Sequence, residues 1–338
     1  MINKKQYEGV QLMRAVACVL VVLSHVPQGT LVPHSDVWTT YYIIRSFVRI
    51  GVPIFLMISG YLLLDKSDDI FLFYTKRAKR IIPPFIFYLL VYYLLVTLQN
   101  KASFSVGSFI TYVHEGGPIH MWYIFSLIGV YLFMPFLRRI FQSTTDREKL
   151  TYCVLWFMFC SIIPFCKILF GYNFDVISLF ALNTFAWQLG YVFVGACLKN
   201  ITIKHPGLFG LCSILCCAAI ATISISWSFF SGIEHVEFIH RQSPFYYIAA
   251  ITTFMALKDC KYSHISYFKK IIVELSTHSF GIYMVHIIVL ACLKVLYISP
   301  QYAFPWLMNF FSAALAVAIS CMFVKYAKKI PYVKSIVG

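Results

Sequence analysis

The chain has 338 residues, of which 60% are hydrophobic and 12% charged, where ordinary soluble domains have about 45–50% and about 25%. A mean hydropathy of +0.77 leaves too little polar surface to clothe a water-soluble globule, and it excludes disorder, a collagen-like chain and a small secreted disulfide scaffold. The formal charge of +15 points to nucleic acid only if the cations form one patch, so their distribution decides the partner.

A membrane-crossing helix needs about 20 mostly apolar residues. Windows of that kind fall at 10–27, 42–64, 81–98, 119–137, 151–170, 176–198, 207–229, 244–257, 271–297 and 304–324. They predict an all-α polytopic membrane protein with about ten transmembrane helices, the eighth short and the ninth long. Cytoplasmic loops collect Lys and Arg. Here the cations concentrate in alternate segments: Lys4 and Lys5; Lys66, Lys76, Arg77, Lys79 and Arg80; Arg138, Arg139, Arg147 and Lys149; Lys199 and Lys204; Lys258, Lys261, Lys269 and Lys270; and the tail from Lys325. The other side holds only Arg45, Arg49, Lys101, Lys167, Arg241 and Lys294. Both termini are therefore expected in the cytoplasm, the bilayer is the expected surface partner, and cations spread over many small loops give a nucleic-acid role no support.

Lys4 and Lys5 before an apolar run resemble a signal peptide, but Arg14 interrupts the run and no small-residue cleavage site follows. Most of the eleven cysteines lie inside predicted spans without metal-ligand spacing, so neither disulfides nor metal are expected. No repeat or long linker divides the chain, and residues 1–338 are read as a single transmembrane domain.

Ionisable groups within spans are costly unless they face protein or water. In the first span Arg14 and His25 stand eleven residues apart, which brings them within about 20° of the same helix face and separates them by about 16 Å along the axis. The stripe suits a long, narrow ligand, anionic at its cytoplasmic end and reactive at its outer end, the shape of pantetheine carrying an acyl thioester. The alternative is that Arg14 snorkels to the interface and His25 bonds a neighbouring helix. Ser24, next to His25, points elsewhere on a helix, so His25 is expected to act directly as a general base. In the second span Arg45 and Arg49 share a face and either bind an anionic or sugar acceptor, polarise a thioester carbonyl, or anchor the helix at the interface. In the ninth span Glu274 and His278 are one turn apart and suit a structural hydrogen bond, while the deeper His286 is a candidate substrate contact. Arg77 and Arg80, three apart on the cytoplasmic side, could hold phosphates or simply reflect the positive-inside bias.

Six blocks in order resemble the acyltransferase-3 family of integral membrane acyltransferases: RAVACVLVVLSH (14–25), GVPIFLMISGYLLL (51–64), FYTKRAKRIIPP (73–84), HMWYIFSLIGVYLFMPFLRR (120–139), GYVFVGACL (190–198) and SFGIYMVH (279–286). The fourth block is most similar to the branch that O-acetylates enterobacterial common antigen and related surface polysaccharides. The resemblance implies an O-acetyltransferase of the bacterial cytoplasmic (inner) membrane. It would move acetyl, or another acyl group, from cytoplasmic acetyl-CoA (acyl-CoA) to a hydroxyl of a cell-surface glycan or lipid-linked sugar at the outer face. It implies His25 as catalytic base with Arg14 as its motif partner, and Arg14, Arg77 and Arg80 as coenzyme A contacts. The sequence carries no hydrolase-like domain of the kind some members have at the carboxyl end, so the membrane part or a separate protein is expected to complete the transfer. A transporter or flippase for a lipid-linked sugar is the competing expectation, weakened by the lack of an inverted repeat or a pair of broken helices.

Overall fold

The computed structural model describes residues 4–171, 187–235, 237–262, 266–302 and 304–338. These residues form helices α1 (Lys4–Ser24), α2 (Asp36–Val48), α3 (Gly51–Leu63), α4 (Ile70–Gln99), α5 (Val106–His114), α6 (Trp122–Ser143), α7 (Asp146–Phe157), α8 (Ile163–Phe170), α9 (Trp187–Cys197), α10 (Pro206–Ser231), α11 (Pro244–Leu257), α12 (Ser266–Val295) and α13 (Pro305–Ala327). No strand occurs among the described residues. Among the described residues, eight helical stretches are long and apolar enough to cross a membrane, counting α2 with α3 and α7 with α8, and α11 is a shorter apolar helix. Large apolar side chains such as Leu98, Phe136, Phe230 and Leu307 stand exposed on the flanks, as lipid-facing positions do. The protein is an all-α, polytopic membrane protein.

Several boundaries differ from those expected, and three differences bear on the site. The span expected at 81–98 begins eleven residues earlier, because Asp69 caps α4 by accepting from Leu72 N (3.0 Å) and the helix runs through Pro83 and Pro84. Arg77 and Arg80 thus sit on a helix, one turn apart, instead of in a loop. The span expected at 42–64 starts at Asp36 under a Ser35 cap and is interrupted at Arg49 and Ile50. Pro53 explains the interruption: it has no N–H for the Arg49 carbonyl, and its ring crowds that turn. Helix α5 forms where a loop is expected. Of the span expected at 176–198, residues 176–186 lie outside the described residues, and the remainder is α9.

α1 lies between α3 and α12, α9 covers α3, α10 packs on α2 and α11, and α13 packs on α12. The α3–α9 crossing is backbone against backbone. A Cβ on Gly60 would meet the Val192 carbonyl, and one on Gly195 would meet the Met57 backbone, so small residues set the approach in the absence of a hydrophobic drive between helices in lipid. This crossing and the α1–α12 contact hold α1, α3 and α12 around the interior polar residues.

Candidate active site

Among the described residues, the candidate side chains line two adjoining cavities. The first, about 560 Å³, is lined by Ser24 and His25 from the end of α1, Arg45 and Arg49 from α2 and its end, His120, Trp122 and Tyr123 at the start of α6, and His240 and Arg241 from the loop before α11. The second, about 510 Å³, is lined by Arg14 of α1, Ser59 of α3, Lys66, Arg77 and Arg80, together with Tyr131 and Phe280. Tyr123 and Tyr283 border both, their rings edge to face with centroids 5.5 Å apart. The pair forms the partition between the cavities, and the Tyr283 hydroxyl is held in place by donating to the His120 carbonyl.

The structure thus places Arg14 and His25 on the one side of α1 that faces the interior, in adjoining cavities. Arg77 and Arg80 join Arg14. The Arg77 guanidinium carbon lies over Phe73 (5.4 Å) and Tyr131 (5.6 Å), and its Nε is buried without a hydrogen-bond partner. Arg45 and Arg49 join His25. Ser59 lies in the other cavity with its hydroxyl donating to Phe55 O (3.1 Å), so the structure does not pair it with His25.

The surroundings of His25 fix its tautomer. Its Nδ1 lies 2.8 Å from the Val21 carbonyl, an acceptor only, and 3.2 Å from Ser24 Oγ, whose proton already goes to the same carbonyl at 2.7 Å. His286 Nε2 lies 3.4 Å from the same Nδ1, and His286 donates from its own Nδ1 to Tyr283 O at 2.7 Å, which leaves its Nε2 as an acceptor. All three neighbours require a proton on His25 Nδ1, so Nε2 of the neutral ring carries the free lone pair. His286 is fully buried and does not line the cavity; it meets the site through His25.

His120 is absent from the residues expected for the site. It is fully buried, both ring nitrogens lack a hydrogen-bond partner, and its ring centroid stands 6.3 Å from His25 and 5.4 Å from His286. Its sequence signal is confined to its place at the head of the fourth block. Trp122 and Trp187 lie with ring centroids 6.1 Å apart on the wall of the His25 cavity. Glu274 and His278 take the structural role expected of them: His278 Nε2 is 3.4 Å from Glu274, which also binds Lys325 of α13 at 2.7 Å.

His240 and Arg241, from the loop before α11, form part of the wall of the His25 cavity. Glu234 accepts from the Tyr42 hydroxyl and from Trp38 Nε1 (2.9 Å), and these bonds hold its carboxyl below the usual carboxylate range. Burial, with Arg241 and Arg49 beside it, holds His240 below the usual imidazole range, so the ring is neutral at pH 7, and its Nδ1 accepts from Gln242 N at 3.4 Å. Ser161 Oγ donates to Gln242 O at 2.9 Å and ties the loop's other end to the α7–α8 junction.

A family model described as an acyltransferase domain matches residues 7–325. An amino-acid racemase of Enterococcus faecalis is 26% identical over 188 residues, which cover 51% of this chain and 26% of that protein. No solved structure matches. The match over nearly the whole length shows that the chain belongs to the acyltransferase-3 family of membrane acyltransferases.

Proposed function

We propose that this membrane acyltransferase moves an acetyl group from cytoplasmic acetyl-CoA to a hydroxyl of a surface glycan or lipid-linked sugar at the outer face of the bacterial cytoplasmic membrane. Both termini and the Arg14 cavity face the cytoplasm in this reading. The observation that carries it is the pair of cavities meeting at Tyr123 and Tyr283, one lined by Arg14, Arg77 and Arg80 and the other by His25.

Arg77 and Arg80 bind the phosphates of coenzyme A with charge-assisted hydrogen bonds, and Arg14 holds the arm deeper in the cavity. The pantetheine arm passes the tyrosine pair, whose rings part to admit it, and presents the thioester at the floor of the His25 cavity. His25 Nε2 takes the proton of the acceptor hydroxyl as the oxygen attacks the thioester carbon. His286 and the Val21 carbonyl hold the imidazole in the reactive tautomer and stabilise the imidazolium that forms, so His286 is a positioning residue. The oxyanion needs donors that are already in place. Tyr123, whose ring borders both cavities, and His120, whose nitrogens are unpaired, are assigned that role; the Tyr283 hydroxyl is committed to the His120 carbonyl. Collapse of the tetrahedral intermediate breaks the C–S bond, and coenzyme A leaves as the thiolate to be protonated on the cytoplasmic side.

The test is transfer of label from radiolabelled acetyl-CoA into the polysaccharide fraction of membranes carrying the wild-type chain, His25→Ala or neither. Label that requires His25 supports the reading. Equal label with His25→Ala, in protein that remains folded in detergent, overturns the assignment of the base.

A further inference from the structure

The donor and acceptor chemistry of the His25 cavity narrows the class of substrate it takes. Arg45, Arg49 and Arg241 all line it, and among the described residues none has a carboxylate within ion-pair distance. Arg45 and Arg49 are one turn apart, a like-charge spacing that costs stability even on an exposed helix, and they sit in an apolar span where unpaired charge costs more. Aromatic rings brace them in place of acids: the Arg45 guanidinium carbon lies 5.1 Å from the Tyr41 ring and that of Arg49 lies 6.0 Å from the Tyr246 ring. Such contacts leave the N–H forks free.

Arg241 is there because its loop is held from both sides, by Glu234 on Trp38 and Tyr42 and by Gln242 on Ser161. It is an addition to the cavity built by long-range contacts. A neutral polyol offers this cavity as many hydroxyl donors as acceptors, and the lining answers mostly with donors. Guanidinium has five N–H groups and no acceptor. The Gln28 amide is engaged with Asn309 in both directions (2.7 and 3.3 Å), Ser24 is bonded to Val21, and His240 Nδ1 is taken by Gln242. His25 Nε2 is required by the reacting hydroxyl, which leaves one His120 nitrogen and the hydroxyl oxygens of Ser24 and the lining tyrosines as acceptors against three guanidinium groups.

We infer that the acceptor carries an oxyanion, a carboxylate or phosphate, beside the sugar that presents the hydroxyl, and that Arg45, Arg49 and Arg241 hold that anion while Trp122 and Trp187 face the sugar ring. This rests on the acyltransfer reading given above. It adds that a fully neutral glycan is not the substrate.

The experiment measures thermal stability of the purified full-length chain in phosphatidylcholine nanodiscs with four separate probes: coenzyme A, a glucuronate-terminated disaccharide, undecaprenyl diphosphate-linked N-acetylglucosamine, and neutral chitobiose. Stabilisation follows mass action. At least one anionic probe is expected to stabilise, chitobiose to have no effect, and Arg241→Gln to raise the half-saturating concentration of that probe about tenfold or more. Added salt is expected to weaken the effect in the wild type. Which anionic probe acts tells carboxylate from phosphate. Arg241→Lys keeps the charge and loses the fork, and retained coenzyme A stabilisation in each variant shows that the fold survives. The inference is overturned if chitobiose stabilises as well as the anionic probes, if Arg241→Gln binds them unchanged, or if coenzyme A alone stabilises. A response to the anionic probes without one to coenzyme A upholds the anion site and sinks the acyl-CoA donor; a response to none sinks both.

Discussion

His286 Nε2 approaches His25 Nδ1 at 3.4 Å from the buried side, opposite the nitrogen that faces the cavity. The two rings are thus ordered in depth, with the hidden imidazole acting on the accessible one. His286→Phe keeps the volume and removes the acceptor, so it is expected to lower kcat for acetyl transfer by about 10- to 100-fold with little change in the KM for acetyl-CoA. His25→Ala removes the proposed base and is expected to cost about 10²- to 10⁴-fold. Steady-state transfer assays separate the two. A His286→Phe enzyme with wild-type kcat would remove its positioning role.

Tyr123→Phe keeps the ring in the partition and removes only its hydroxyl. As an oxyanion donor, Tyr123 is expected to contribute about 10²- to 10³-fold in kcat, and coenzyme A binding is expected to be unchanged. The readout is the split between kcat and KM; a change confined to KM would make Tyr123 a wall and not a donor.

If Arg77 and Arg80 hold coenzyme A as proposed, Arg77→Ala and Arg80→Ala each remove charge-assisted contacts of about 1.5–3 kcal/mol. Each is expected to raise the KM for acetyl-CoA about tenfold or more and to leave binding of acceptor analogues intact. Equilibrium binding of labelled coenzyme A provides the direct measurement, and unaltered affinity in both variants would move the phosphate site elsewhere.

Gly60→Ala puts a Cβ into the Val192 carbonyl, where no flexible side chain can give way. The α3–α9 pair must separate, at a cost of about 1–3 kcal/mol or more, read as a lower unfolding temperature in detergent. Gly207→Ala, where a Cβ meets nothing within 4 Å, is the matched control and is expected to be neutral.

Glu234 predicts how the 232–243 loop responds to acid. Its carboxyl is lowered in the folded protein by bonds from Tyr42 and Trp38, so its contribution is complete above the unfolded carboxylate value of about 4.3 and is lost as pH falls through the lower folded value. Hydrogen exchange of the loop is expected to be slow at pH 5–7 and to accelerate, after correction for intrinsic rates, in strong acid. Glu234→Ala should show the fast behaviour at pH 7. Identical loop protection in Glu234→Ala would mean that Ser161 alone holds it.

The relation of Arg14 to His25 is legible in the sequence because Arg14 lies on α1 and His25 directly follows its last residue, where the helical period still sets direction. Arg45 and Arg49 are legible in the same way, Arg49 being the residue that caps α2. Arg77 and Arg80 are recognised as candidates, yet their helix is not, since the surrounding charges depress hydropathy and Pro83–Pro84 reads as a boundary. His120 sits where a short 3-10 turn enters α6, without a periodic partner to mark it. Arg241 reaches the cavity through bonds between Glu234 and residues nearly 200 positions away, a pairing that no local pattern encodes. The proline at position 53 is visible, but that it would seat Arg49 at a break needs the packed helices.

The tyrosine partition separates more than two ligands. In the proposed reaction the proton lost by the acceptor is collected by His25, while the thiolate formed at the floor of the same cavity withdraws past the tyrosines and collects its proton from the opposite compartment. Each turnover then consumes a proton on the coenzyme A side and liberates one on the glycan side, although only a neutral acetyl group crosses. Such a reaction is electrogenic. A potential of 100 mV couples to one displaced charge by about 2.3 kcal/mol, so with the interior negative the energised state of the membrane opposes acetylation, and collapsing the potential accelerates it.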